Sequence, residues 1–157
     1  MAAEIRFSID KIVNNIMATA VKAGRDAQDI KLMAVTKTVT DARVREALEA
    51  GIIILGENYV QEAERKKTLL ERTGTPVEWH MIGHLQTRKA ALAIRLFDMI
   101  HSLDRVELAS EINKRAKAAN RVMKVLIEVN TGDESTKGGV APVRTLEFAK
   151  TVAQMEN

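Results

Sequence analysis

Five short apolar runs alternate with helical patterns at a spacing of roughly twenty to twenty-seven residues, the length of one strand–helix unit. The runs lie at 32–36, 52–55, 77–82, 98–102 and 123–129. Ile52-Ile53-Ile54-Leu55 is apolar throughout and bounded by glycines, as a strand buried on both faces would be. Buried strands separated by helices form a parallel sheet with right-handed crossovers. The expected fold class is therefore α/β.

The intervening segments carry helix signals. Ile5, Ile9, Ile12, Val13, Ile16, Ala20 and Val21 recur at helical spacing and predict a first helix ending near Gly24. Val44, Ala47 and Leu48 predict a short helix that stops at Gly51. Further helices are predicted over 60–70, 86–96 and 143–155. Asp104 with Glu107 reads as a capping box opening a helix that runs to about Asn120. Residues 131–139 form a polar, glycine-containing loop.

A chain of 157 residues is expected to be one domain, 1–157. Aromatics make up only 3% of it, so aliphatic side chains and methionine must fill the core. Met33, Met81, Met99 and Met123 fall in predicted strands and read as core. The absence of cysteine excludes disulfides, thiolate metal sites and cysteine nucleophiles, and fits a reducing cytoplasm. The net charge of +3 is spread over interspersed acids and bases, which argues against nucleic acid as a partner. Lys114, Arg115, Lys117 and Arg121 read as a solvated helix face. No apolar run approaches membrane length, and the start carries Glu4 and Asp10 where a signal peptide would be apolar. The three histidines lack metal-ligand spacing, so no metal site is expected. Gly132, Gly138 and Gly139 fit neither a Walker nor a dinucleotide fingerprint.

Polar residues gather where the predicted strands end: Lys37; Glu57 and Asn58; His80 and His84; His101, Ser102 and Asp104; Glu128 and Asn130. In a parallel α/β fold these ends share one face and the residues converge. The plainer reading is that strand ends meet loops and loops are polar, and Asn58 and Asp104 also suit helix caps. Lys37 carries the most chemistry. A lysine at a buried strand end has its stem in a dry mouth, where burial lowers its pKa and frees the amine for Schiff-base formation.

Several segments resemble one family. Lys31-Leu32-Met33-Ala34-Val35-Thr36-Lys37-Thr38 is similar to the first strand of the pyridoxal phosphate homeostasis protein family. Gly56-Glu57-Asn58-Tyr59-Val60-Gln61-Glu62 resembles its second-strand signature, and Trp79-His80-Met81-Ile82-Gly83-His84-Leu85-Gln86 its third. His101-Ser102-Leu103-Asp104-Arg105 resembles the fourth. Val129-Asn130 through Glu134, Lys137 and Gly138 resembles the fifth.

The resemblance implies the alanine-racemase N-terminal barrel fold, a TIM-type (β/α) barrel. It accounts for an N-terminal helix and about five parallel strands; the family's last three βα units have no counterpart in the 157 residues. The expected architecture is thus an incomplete barrel, C-terminally truncated, able to self-associate through its open sheet edges. The resemblance also implies pyridoxal 5′-phosphate as cofactor, held as a Schiff base on Lys37. Asn58, His80 and His101 are expected to line the ring side, and Lys137 to offer charge near the phosphate. The family's phosphate-binding segments lie beyond the matched part. Family members bind and deliver the cofactor without established turnover, so no catalytic residue is expected. The alternative is an amino-acid racemase or another Schiff-base enzyme.

Overall fold

The computed structural model describes residues 2–71, 74–132, 134, 136 and 138–157. Helix α1 (Ala2–Lys22) precedes five strand–helix units: β1 (Met33–Val35) and α2 (Asp41–Glu49), β2 (Ile54–Glu57) and α3 (Val60–Glu71), β3 (Glu78–Met81) and α4 (Ala90–Leu96), β4 (Met99–Leu103) and α5 (Val106–Ala118), β5 (Lys124–Ile127) and α6 (Thr145–Val152). None of the described helices is long and apolar enough to cross a membrane.

Three helices end the same way. Gly24, Gly51 and Asn120 each take a positive φ just past the helix, at 64°, 100° and 51°. The next residue's N–H returns five positions: Arg25 to Ala20 O, Ile52 to Ala47 O, Arg121 to Ala116 O. This satisfies a terminal carbonyl that would otherwise lack a donor. It also delays β2. Ile52 is spent leaving α2, so the strand opens at Ile54 rather than Ile52 and extends through Gly56 and Glu57. The capping box expected at Asp104 is absent. Arg105 is the N-terminal cap residue of α5 and makes no side-chain cap bond, while Asp104 accepts from the Arg105 guanidinium at 2.5 Å.

The sheet order is β1-β2-β3-β4-β5, all parallel, as expected. Sequential order with right-handed crossovers puts the connecting helices on one side. The sheet therefore has a helix face and an open face. Strand alternation sorts the residues between them. Leu55, Trp79, Met81, Ile100 and Leu103 are buried in one cluster with Val44, Leu48, Ile94, Phe97, Leu108 and Ile112 of the helices. Met81 and Met123 are core as expected, whereas Met33 and Met99 are only half-buried because they lie on the open face. Arg121, expected on a solvated face, instead donates to the carbonyls of Ile94 and Phe97 at the end of α4. Its fork satisfies two carbonyls of a chain end, which a helix-periodicity argument does not see.

The open face carries Met33 and Val35, Ile54 and Gly56, Glu78 and His80, Met99 and His101, then Lys124 and Leu126. Val35 is 48% exposed and Leu126 46%. Among the described residues β1 has no outer partner, and β5 has only a parallel bridge from Val129 to Val140. Unpaired edges beside exposed apolar side chains invite pairing with another chain. The 157-residue chain on its own is expected to self-associate, with an average mass above the monomer's in sedimentation equilibrium at micromolar concentration. A compact monomer across that range would contradict this.

Candidate functional site

Lys37 follows β1 directly. Thr36 continues the ladder, its N–H reaching Gly56 O at 3.1 Å. Thr36 is buried on the helix face, so alternation sends Lys37 to the open face with Met33 and Val35. Its side chain is exposed rather than held in a dry mouth. The reason is geometric: nothing among the described residues stands beside β1 on that side. Thr38 then adopts φ 61°. A β-branched residue in the left-handed region costs about 1–3 kcal/mol and persists only where its surroundings over-determine it.

Those surroundings are a buried charged cluster. Lys66 of α3 is 1% exposed. Its Nζ donates to Thr36 O at 2.5 Å, Glu57 Oε1 at 2.7 Å and Glu62 Oε1 at 2.8 Å. Thr36 Oγ1 donates to Glu57 Oε1 at 2.6 Å, and the Thr38 N–H to Glu62 Oε1 at 3.1 Å. The Lys66 hydrogen bond, helped by the Thr38 N–H, holds the Glu62 carboxyl below its ordinary pKa against the opposing effect of burial. Glu57 thus faces the helices and does not converge on the open face with Lys37. Sequence reasoning missed Lys66 and named Glu62 only as the end of a family-like segment, without a role. The available signal was their i,i+4 spacing on α3, which is usually a surface pair.

On the open face, the ladder from Ile82 N to Glu57 O at 3.0 Å puts Asn58 level with Lys37 on one side and Ile82 on the other. His101 shares that layer through the pairing of His80 with Met99. Asn58 does not cap a helix: its Oδ1 is buried without a partner among the described residues. His80, 6% exposed, lies one layer lower, and Glu78 lower again.

Glu78, His80 and His101 form a chain rising through the open face. His80 Nε2 lies 3.0 Å from Glu78 Oε1, and His101 Nε2 lies 2.9 Å from His80 Nδ1. An ionised carboxylate only accepts, so His80 Nε2 carries a proton and donates to Glu78, while His80 Nδ1 and His101 Nε2 share the second hydrogen bond. The His80 hydrogen bond, with Lys31 and Lys124 adding, holds Glu78 below its ordinary pKa although burial opposes it. Burial first, then His80, pushes His101 below its ordinary value of 6.5.

A pH dependence follows. Between the lowered folded value and 6.5, the unfolded chain binds the His101 proton and the folded chain does not. Stability therefore falls as pH drops through that window. The Glu78 contribution, present above its ordinary value of 4.5, is lost at still lower pH. Urea midpoints should decline from neutral pH toward pH 5 (roughly where an ordinary histidine is charged), and His101→Gln should flatten the upper part of the decline. An unchanged slope in that variant would remove His101 as the cause.

The remaining strand-end residues support the loops. Ser102 Oγ donates to Gly83 O at 2.6 Å. His84 is exposed, with Nδ1 3.4 Å from Asp104 Oδ2. Asn130 bonds the backbone of Glu134. Glu128 accepts from the Val140 N–H through its backbone carbonyl. Lys137 lies outside the described residues. The structure thus brings Lys37, Asn58 and His101 to one layer of the open face, with His80 directly below.

A profile of the family "Alanine racemase, N-terminal domain" matches residues 7–157. The chain is 36% identical over 153 residues to the pyridoxal phosphate homeostasis protein of Escherichia coli K12, covering 97% of this chain and 65% of that protein. It is 40% identical over 149 residues to the protein of that name from Aquifex aeolicus VF5, covering 95% and 64%. The chain thus spans somewhat under two thirds of the length of these curated relatives. PipY of Synechococcus elongatus PCC7942, solved with PLP bound, superposes with a TM-score of 0.76 at 30% identity, over 92% of this chain and 65% of that one. Alanine racemase of Clostridium difficile 630 shares the fold, with a TM-score of 0.72 at 18% identity over 97% of this chain and 37% of that one. By the profile match, the sequence identities and the shared parallel sheet, the chain belongs to the alanine racemase N-terminal domain family.

Proposed function

We propose that this chain binds pyridoxal 5′-phosphate at the Lys37 layer and acts in holding and supplying that cofactor rather than in turning over a substrate. The names of its relatives, and the PLP bound to the PipY neighbour, support the choice of cofactor. The observation in this molecule that carries it is the buried, unpartnered Oδ1 of Asn58, level with an exposed lysine amine. A buried polar atom without a partner is one that a donor from a bound molecule would satisfy, and of the three such atoms among the described residues only this one lies in the Lys37 layer. The donor set fits the ring half of the cofactor: an amine, an amide and an imidazole on one layer.

When bound, the cofactor supplies an aldehyde that condenses reversibly with primary amines. Lys37 presents the amine from the open face. The Asn58 amide would orient the ring from the neighbouring strand, and His101, its Nε2 hydrogen-bonded to His80, would present Nδ1 to it. His80 holds the His101 ring from below. Lys137, which lies outside the described residues, would supply positive charge for the phosphate, as the family resemblance implies. The 157 residues act as one partial barrel domain, and the lack of cysteine supports a cytoplasmic setting.

A racemase or lyase needs an acid–base group on the far side of the ring. Tyr59, the chain's one tyrosine, is 61% exposed where α3 begins, a position that supports no such role. The test is borohydride reduction of the chain with added pyridoxal phosphate, followed by peptide mapping. Label is expected on Lys37 and lost in Lys37→Ala. Label spread evenly over surface lysines would overturn the reading, and turnover of D- or L-amino acids would favour an enzyme.

A further inference from the structure

We infer that Glu57, Lys66 and Glu62 are the positioning device of Lys37: from the helix face they clamp the residues on either side of it and hold the turn that aims its amine at the open face. This rests on Lys37 being the cofactor lysine.

Both flanks of Lys37 are held by this one cluster. On the amino side, Thr36 is gripped twice, through its carbonyl by Lys66 and through its hydroxyl by Glu57. On the carboxyl side, the Thr38 N–H is taken by Glu62. Lys37 itself takes no part, and its own carbonyl accepts from Thr38 Oγ1 at 2.6 Å. Strand alternation gives the grip its consequence. If Thr36 turned away from the helix face, Lys37 would turn toward it. Holding Thr36 therefore decides which side the amine takes.

The second half of the device is Thr38. Its φ of 61° is a conformation that threonine leaves unless held. The Glu62 bond to its N–H holds it.

The chemistry of the cluster suits positioning better than stabilisation. Lys66 has three N–H donors and all three are engaged. Glu57 is fully buried, yet its Oε2 has no partner among the described residues. Buried ion groups of this kind do not exceed well-packed apolar side chains in stability, and their best-attested use is to select one arrangement over another. Here the arrangement selected is the Thr36–Lys37–Thr38 turn.

The test uses Glu62→Met, which keeps the length of the side chain and removes the acceptor oxygen. Glu62 is partly exposed, and Lys66 keeps its bonds to Thr36 O and Glu57. Without any cofactor, amide exchange in the peptide around Thr38 should quicken about tenfold while exchange in the sheet is unchanged. With pyridoxal phosphate added, borohydride-trapped label at Lys37 should form about tenfold more slowly. Thr38→Asn, which tolerates the left-handed region, should restore most of that rate in the Glu62→Met background. A purely structural role for Glu62 would show no such rescue. Unchanged exchange in Glu62→Met, or slower labelling that Thr38→Asn fails to recover, overturns the inference. If the unaltered chain takes no label at Lys37 while Glu62→Met still loosens the turn, the cofactor reading fails and the clamp stands.

Discussion

Lys66→Met should destabilise the chain by about 3–5 kcal/mol, the largest effect expected of any single polar substitution here. The side chain is 1% exposed and its ammonium is the cation bonded to Glu57 and Glu62. Methionine fills much of the same volume, so little of the cost is a cavity. The cost is electrostatic: Glu57, fully buried and already short of one hydrogen-bond partner, is left without its cation. The carbonyl of Thr36 loses its donor from Lys66 as well. Removing one member of a buried pair is costly, whereas removing the charge on both sides is nearly neutral. Lys66→Met with Glu57→Gln should therefore recover a large part of the loss. Urea unfolding with matched slopes measures both. A single-variant cost below about 1 kcal/mol would mean that water reaches Glu57 and that the cluster is a surface pair.

That cluster marks the boundary of what the sequence discloses. Continuous apolar runs and helix stops were legible because they are local. Gly24, Gly51 and Asn120 each sit at a turn that needs a positive φ, and each ends a helix there. The parallel order was legible because the spacing leaves room for one crossover helix per strand. Side-chain partners over longer separations were not. Alternation says that Thr36 and Lys37 point to opposite faces but not which faces the helices. Glu57 sits in a strand-end motif and reads as a ligand-facing acid. Only the packing of α3 onto β1 and β2 turns it into the partner of Lys66. Asp104 failed as a cap for a similar reason, since Arg105 beside it takes its carboxylate and also reaches Leu85 O and Thr87 Oγ1.

The two faces of the sheet divide the polar work. The helix face holds a buried charged cluster in which every Lys66 donor is spent while Glu57 Oε2 lacks a partner among the described residues. The open face holds a hydrogen-bonded chain of two imidazoles and a carboxylate, and an amide oxygen with no partner among the described residues. Lys37 stands where the two meet. Its backbone neighbours are held from the helix face and its amine lies on the open one. A fixed backbone carrying a free amine is the arrangement a covalent carrier requires, because ordering the turn beforehand lowers the cost of attachment.

Gly83→Ala should disable the same layer without touching Lys37. A Cβ at Gly83 would lie 2.4 Å from Asn58 O and 2.7 Å from Asn58 Cα. Both atoms are backbone, so no rotamer change relieves the overlap. Gly83 cannot retreat either, because the buried Ser102 hydroxyl holds its carbonyl at 2.6 Å. The residue that must move is Asn58. Overpacking of this kind costs about 1–3 kcal/mol, and a backbone clash falls at the upper end. Gly56→Ala is the matched comparison. There the nearest atoms are Ile82 Cδ1 and Met33 Sδ, each at 3.0 Å, both ends of side chains that can turn aside. The expected order is a larger drop in urea midpoint for Gly83→Ala than for Gly56→Ala, with slower trapping of pyridoxal phosphate at an intact Lys37 in Gly83→Ala. The reverse order would mean that Asn58 is free to shift, and that its unpartnered amide oxygen does not help to shape the site.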